Sequence, residues 1–210
     1  MLKPRIIPCL LVDNGLLYKT INFKNPTYIG DPLNAVRIFN EKKVDELVVM
    51  DIGTTKYNRL PDFDLISALA SVCRMPLCYG GGVSKIDHLE RIIGLGVEKV
   101  AVSSILYDDP SFISTASSRV GSQSVVAVLD LKKSGIFKKR YTLTSLNGSV
   151  HHKYSPLDFA HSLEDAGVGE IVINSIDRDG TMSGYDFDLI DLFASSLSVP
   201  LTVIGGARSF

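Results

Sequence analysis

A surplus of charge is missing from this sequence: 22 Lys and Arg stand against 23 Asp and Glu, a formal net charge of -1 over 210 residues. Without a global basic field, neither nucleic acid nor an anionic membrane surface is an expected partner. Cysteine is scarce and odd in number (Cys9, Cys73, Cys78), with no metal-type spacing, so the setting reads as reduced and cytoplasmic; no paired metal-ligand motif stands elsewhere, and neither a metal nor a cofactor is expected. Long apolar runs are missing too; none approaches the ~20 residues that a membrane helix needs. The opening MLKPRIIPCLLVDNG is too short and too quickly polar for a secretory leader. No low-complexity linker interrupts the chain, which therefore reads as one soluble domain.

What is present is an alternation. With 45% hydrophobic and 21% charged residues, the chain can bury one large core. Short β-branched runs (RIIPCLLV, DELVVMDI, PLCYGG, EKVAVSS, SVVAVLDL, GEIVINSI, PLTVIGG) are separated by stretches of helical period such as DPLNAVRIFNEKKV, DFDLISALASVCR and KIDHLERIIGLG. Asp31 and Pro32 in GDPLN read as the cap and first turn of the first helix. Repeated βα units predict a parallel sheet, either doubly wound or a (β/α)8 barrel.

An internal repeat separates these alternatives. Residues 45–52, DELVVMDI, align with 169–176, GEIVINSI, and 76–82, PLCYGGG, align with 200–206, PLTVIGG, both 124 positions apart. Residues 6–11, IIPCLL, align with 125–130, VVAVLD, 119 positions apart; the difference falls in GIFKKRYTLTSLNG, which reads as a hairpin after the fifth strand. The expectation is a (β/α)8 TIM barrel of two half-barrels, about 1–121 and 122–210, with its site at the C-terminal mouth. The unit from Val83 to about Gly121 has no counterpart after Ala207, so the last βα unit, ~35 to 40 residues against the ~250 usual for the fold, is expected to be absent. In the same register Leu11 is the counterpart of Asp130.

RIIPCL, GDP, DELVVMDI, GGGV, GSQSVVAVLD and above all SIDRDGTMSGYD resemble the HisF family, the cyclase subunit of imidazole glycerol phosphate synthase, over the whole chain. That resemblance implies a barrel lyase of histidine biosynthesis. A HisH-like glutaminase docked at the N-terminal face supplies ammonia, which cleaves and cyclises a substrate with a phosphate at each end. LLVDNG and PLCYGGG look more like the HisF-like paralogues found beside sugar amidotransferases of O-antigen and surface-polysaccharide pathways. The resemblance also implies site residues. Proton transfer needs an acid and a base on opposite sides of the substrate, and the family sets an aspartate on strands one and five. Asp130 matches the second, while the first position is Leu11, which can neither donate nor accept. Asp13 has the same strand parity, but DNG places it in a turn.

One implied phosphate site is Gly81 and Gly82 with Ser103 and Ser104, where the family usually has Asn-Thr; the other is Asp179, Gly180, Gly205 and Gly206. Lys19 matches a family position over the mouth and reads equally as a solvated lysine. Arg5, Glu46, Lys99 and Glu170 lie near strand starts with the parity of inward residues, so two acids and two bases should meet there. In the family the matching residues gate ammonia; a purely structural ion-pair ring is the other reading. His151 and His152 read as a solvated loop, and Cys9 and Cys78 as core residues. Three functions compete: the ordinary cyclase, a non-cyclase ammonia-channelling partner of a sugar amidotransferase, and a phosphosugar isomerase barrel, which the leucine also disfavours.

Overall fold

The computed structural model describes residues 4–134 and 140–208. In chain order the elements are β1 (Cys9–Asp13), β2 (Leu16–Ile21), β3 (Lys24–Gly30), α1 (Pro32–Lys42), β4 (Leu47–Asp51), α2 (Phe63–Val72), β5 (Leu77–Gly80), α3 (Ile86–Gly94), β6 (Lys99–Val102), α4 (Ile105–Asp108), α5 (Phe112–Val120), β7 (Val125–Ser134), β8 (Arg140–Ser145), β9 (Val150–His151), α6 (Pro156–Asp165), β10 (Glu170–Ser175), α7 (Phe187–Ala194) and β11 (Leu201–Ile204). They form two compact units, Met1–Lys19 with Thr27–Ala101 and Thr20–Pro26 with Val102–Phe210.

In the first unit β1 runs parallel to β4, β4 to β5 and β5 to β6. In the second, β7 runs parallel to β10 and β10 to β11. Within each unit every parallel strand neighbours the next in sequence and the order never reverses. A doubly wound sheet needs such a reversal, so the fold class is α/β of the TIM-barrel type. Two antiparallel additions decorate this scheme. β2 folds back on β1 through Asn14 and Gly15, both at positive φ (49° and 73°), the backbone that an Asn-Gly hairpin turn demands. β8 folds back on β7 and carries β9, the hairpin expected from GIFKKRYTLTSLNG; residues 135–139 of that segment lie outside the described residues.

The helices start where capping chemistry dictates. The Asp31 carboxylate accepts from the Asn34 N–H at 2.8 Å, with Pro32 in the first turn of α1; Asp62 caps α2 at Leu65 (3.0 Å). Helix faces then cover the strands, leaving Val49, Ile66, Leu69, Leu89 and Ile92 fully buried in the first unit and Leu129, Ile171, Ile173, Leu189 and Phe193 in the second. Among the described residues no helix is long and apolar enough to cross a membrane.

The two units repeat the same internal register. Leu11 lies opposite Met50 and Met50 opposite Gly80 in the first; Asp130 lies opposite Asn174 and Asn174 opposite Ile204 in the second. Gly81, at φ +123°, lies so close to the Asp51 carbonyl that a Cβ would collide with it, and Gly205 packs in the same way on the Ser175 carbonyl. Tight backbone packing alone thus demands glycine at both positions.

Candidate functional site

In the second unit the fifth parallel strand carries the one strongly perturbed carboxyl among the described residues. Asp130 lies on β7 between Asn174 of β10 and Thr144 of β8, and accepts from the Asn174 amide Nδ2 at 3.1 Å. Burial pushes its pKa up to about 7; the Asn174 hydrogen bond works against the rise and the charge of Asp179 adds to it. Near neutrality this carboxyl is therefore populated in both protonation states, and can donate or accept. The matching place in the first unit is apolar: Leu11, half-buried on β1, faces Met50.

Asp13, the next carboxylate along β1, is the last residue of the strand rather than free in the turn. It is committed to Arg59, whose Nη2 lies 2.6 Å from Oδ1, while Arg59 Nη1 donates to Asn14. Arg59 comes from the loop after β4, whose first residues are fixed by Asp51: its buried carboxylate accepts from the Gly53 and Thr54 N–H groups (3.0 and 3.1 Å), and burial pushes its pKa up. Gly81 and Gly82 follow β5 and pack against this same loop.

At the opposite ends of the first unit's strands stands a charge cluster. Glu46, 2% exposed and one residue before β4, accepts from Lys99 Nζ at 2.8 and 2.9 Å and from Arg5 Nη1 at 3.1 Å. A carboxylate removed from water needs such partners. Glu170 begins β10 in the second unit, buried, and accepts from the Thr202 hydroxyl at 2.6 Å.

With this geometry in place, comparison with known proteins is decisive. The family model described as histidine biosynthesis protein matches residues 5–210. The chain is a HisF member of that family. A protein of Leptospira interrogans, provisionally named imidazole glycerol phosphate synthase subunit HisF, is 51% identical over 209 residues, which is 100% of this chain and 82% of the relative. A Pseudomonas aeruginosa protein, provisionally named subunit hisF2, is 47% identical over the same shares. The Sulfolobus acidocaldarius imidazole glycerol phosphate synthase subunit HisF is 34% identical over 99% of this chain and 82% of its own length.

In this HisF family member the remaining expected residues sit as follows. Asp179 is occupied from within the second unit: its Oδ2 accepts from the Thr20 hydroxyl (2.7 Å) and the Phe23 N–H (3.0 Å), and its carbonyl from the Asn22 N–H (3.0 Å). Gly180 packs directly on the Thr20 carbonyl at φ +66°, leaving no room for a Cβ. Gly206 accepts from the Gly184 N–H at 2.8 Å. Ser103 follows β6 with its hydroxyl buried and unpartnered among the described residues, and Ser104 begins α4 without a side-chain capping bond. Lys19 is exposed on β2. Among the described residues no group of three or more His, Cys, Asp or Glu side chains is placed to hold a metal.

His152 corrects the sequence reading. It is no solvated loop residue: its ring lies 3.6 Å from that of Tyr107, only 3° from parallel, and its Nε2 is 2.8 Å from the Ser145 hydroxyl. Burial lowers its pKa. Sequence reasoning missed Tyr107, Asn174 and Arg59. Asn174 was legible in principle as the residue 124 positions after Met50, where an amide in an apolar run signals a polar partner.

Proposed function

We propose that this chain is an ammonia-using synthase subunit of the imidazole glycerol phosphate synthase type, working with a HisH-like glutaminase. The observation that carries the reading is Asp130, a carboxyl with a pKa of about 7 held by Asn174 on the fifth parallel strand. General acid–base chemistry favours a group that titrates near the working pH, a term typically worth 10²- to 10⁴-fold in rate. The implied phosphate contacts are Gly81, Gly82, Ser103, Ser104, Asp179, Gly180, Gly205, Gly206 and Lys19. Arg5, Glu46, Lys99 and Glu170 are the implied ammonia entrance. The Glu46 cluster supports that role, because its exposed arm, Arg5, can move aside while Lys99 still pairs with the buried Glu46.

A second reading is favoured by Leu11: the chain accepts ammonia from the glutaminase but serves a sugar amidotransferase instead of cyclising a substrate. Leucine cannot move a proton, and Asp13 is tied to Arg59. One experiment separates them. The chain is mixed with a HisH-type glutaminase, and both glutamine hydrolysis and formation of imidazole glycerol phosphate from the bis-phosphorylated substrate are followed. Product at ordinary enzyme rates, ~1 to 10³ per second, supports the cyclase. Stimulated glutamine hydrolysis without product supports the second reading. Neither effect overturns both.

A further inference from the structure

Two polar atoms near Asp130 are not used by the proposed chemistry: Asn174 bonds it directly, and Tyr107 stacks on His152, whose ring meets Ser145, the neighbour of Thr144, the β8 partner of Asp130. Asn174 donates through Nδ2 to Asp130, which leaves its Oδ1 buried with no partner among the described residues. Tyr107, in α4, has its hydroxyl buried and equally unpartnered; burial first, and then the nearby charge of Asp130, pushes that phenol far up, so it stays protonated. Buried polar atoms are nearly always satisfied, and each exception calls for an explanation such as a catalytic role or a group that binds there.

The Tyr107 ring is held in place. It lies parallel to His152 (3.6 Å, 3°) and to Phe159 of α6 (5.0 Å, 8°), and Phe159 stacks in turn on Tyr154 at 5.2 Å. His152 is anchored by Ser145 and by its own N–H to the Leu143 carbonyl at 2.9 Å. A phenol set by two stacked neighbours presents its hydroxyl in a fixed direction, as recognition of one polar group requires.

We infer that Tyr107 and Asn174 form with Asp130 a subsite for an uncharged hydrogen-bonding group of a small ligand, a sugar-type hydroxyl or a primary carboxamide. The ligand must donate, because Asn174 Oδ1 only accepts, and it must accept, because the Tyr107 hydroxyl has a proton to give. A phosphate dianion could accept from Tyr107 but has no proton to give Asn174 Oδ1, and it would bring negative charge beside Asp130. The inference rests on the synthase reading only in taking the neighbourhood of Asp130 as the place where substrate is held. It makes Tyr107 a residue that selects the ligand.

Calorimetric titration of the 210-residue chain, with no glutaminase present, tests this. The probes are aminoimidazole carboxamide ribotide, ribose 5-phosphate and inorganic phosphate. Tyr107→Phe keeps the ring and its stack and removes only the hydroxyl. The expected result is ribotide bound about 3- to 10-fold more weakly by Tyr107→Phe, the loss of one hydrogen bond, with inorganic phosphate unaffected. An equal weakening for ribose 5-phosphate assigns the subsite to a hydroxyl; weakening for the ribotide alone assigns it to the carboxamide. Asn174→Ala removes the hydrogen bond that opposes the rise in Asp130, so the pH at which ribotide affinity changes should move upward from about 7. Equal ribotide affinity in wild type and Tyr107→Phe, or no ribotide binding by wild type at millimolar concentration, overturns the inference. Glutaminase coupling is untouched by either result, so the two readings fail separately.

Discussion

A carboxyl that titrates near 7 burdens the fold as the pH rises. For Asp130 the folded pKa of about 7 lies above the ordinary 3.8. Below pH ~4 both folded and unfolded chains are protonated there and nothing is lost. Between ~4 and 7 the unfolded chain releases the proton while the folded chain keeps it. Stability therefore falls across that window, by at most on the order of 4 kcal/mol, and the whole cost is present above pH 7. Asp130→Asn should thus abolish proton transfer yet raise the melting temperature at pH 8, with little effect at pH 4; equal shifts at the two pH values would refute the assignment. The pairing registers sharpen a second test. Leu11 opposite Met50 repeats Asp130 opposite Asn174, so Leu11→Asp with Met50→Asn should rebuild the hydrogen-bonded pair in the first unit. Any gain in product formation should be larger for this double variant than for Leu11→Asp alone, by about the 10-fold a charge-assisted hydrogen bond can contribute. The sequence placed both residues of the contrast correctly through its repeat. It could not place Tyr107, because no periodicity marks a short helix that stacks on a residue 45 positions away.

The hairpin of β2 and β3 shows which elements local pattern reveals. Every parallel strand of the βα series was legible as a bounded β-branched run, α1 through its capping Asp31 and α2 through its helical period. β2 and β3 were not read, although Asn14-Gly15 between LLVD and LLYKTI is a strong hairpin signal. The reason is burial: β3 is exposed at every position but its last, so no apolar alternation announced it. What orders its turn lies far along the chain, in Asp179 with its bonds to Thr20, Asn22 and Phe23. Hydrogen bonds to a charged acceptor contribute ~1.5–3 kcal/mol. Asp179→Ala should therefore speed amide exchange at Phe23 by about 10-fold or more and expose residues 20–26 to protease, leaving the β7–β10 amides protected. Unchanged exchange at Phe23 would show that the turn is held by other contacts. The same experiment weighs the phosphate role of Asp179: Oδ2 already holds two donors in the turn, so a ligand role falls to Oδ1 or to the backbone of this loop.

At the scale of the whole molecule, a near-neutral total charge conceals a local design in which the first unit keeps its ionic cluster at the strand starts and its Asp13–Arg59 pair at the strand ends. Strand parity gave Arg5, Glu46, Lys99 and Glu170 the inward sense, and the first three meet in the first unit; the Arg59 pair was not legible, because a loop residue has no parity. The two arms of the cluster differ in kind. Lys99 and Glu46 have side chains 16% and 3% exposed, whereas the Arg5 side chain is 46% exposed. Removing one partner of a buried pair strands the other charge and costs about 3–5 kcal/mol, while an exposed arm contributes ~0–1 kcal/mol. Glu46→Ala should therefore lower the urea midpoint severely, and Arg5→Ala hardly at all. If the cluster also admits ammonia, Arg5→Ala should alter the coupling between glutamine hydrolysis and ammonia use without altering stability, and a Glu46→Gln chain, which keeps the shape and loses the charge, should be unstable and uncoupled together. Ammonium supplied directly, bypassing the entrance, should restore product formation in Arg5→Ala to the wild-type level. If free ammonium fails to rescue Arg5→Ala while the fold is intact, the arginine acts beyond the entrance and the cluster is a structural ring.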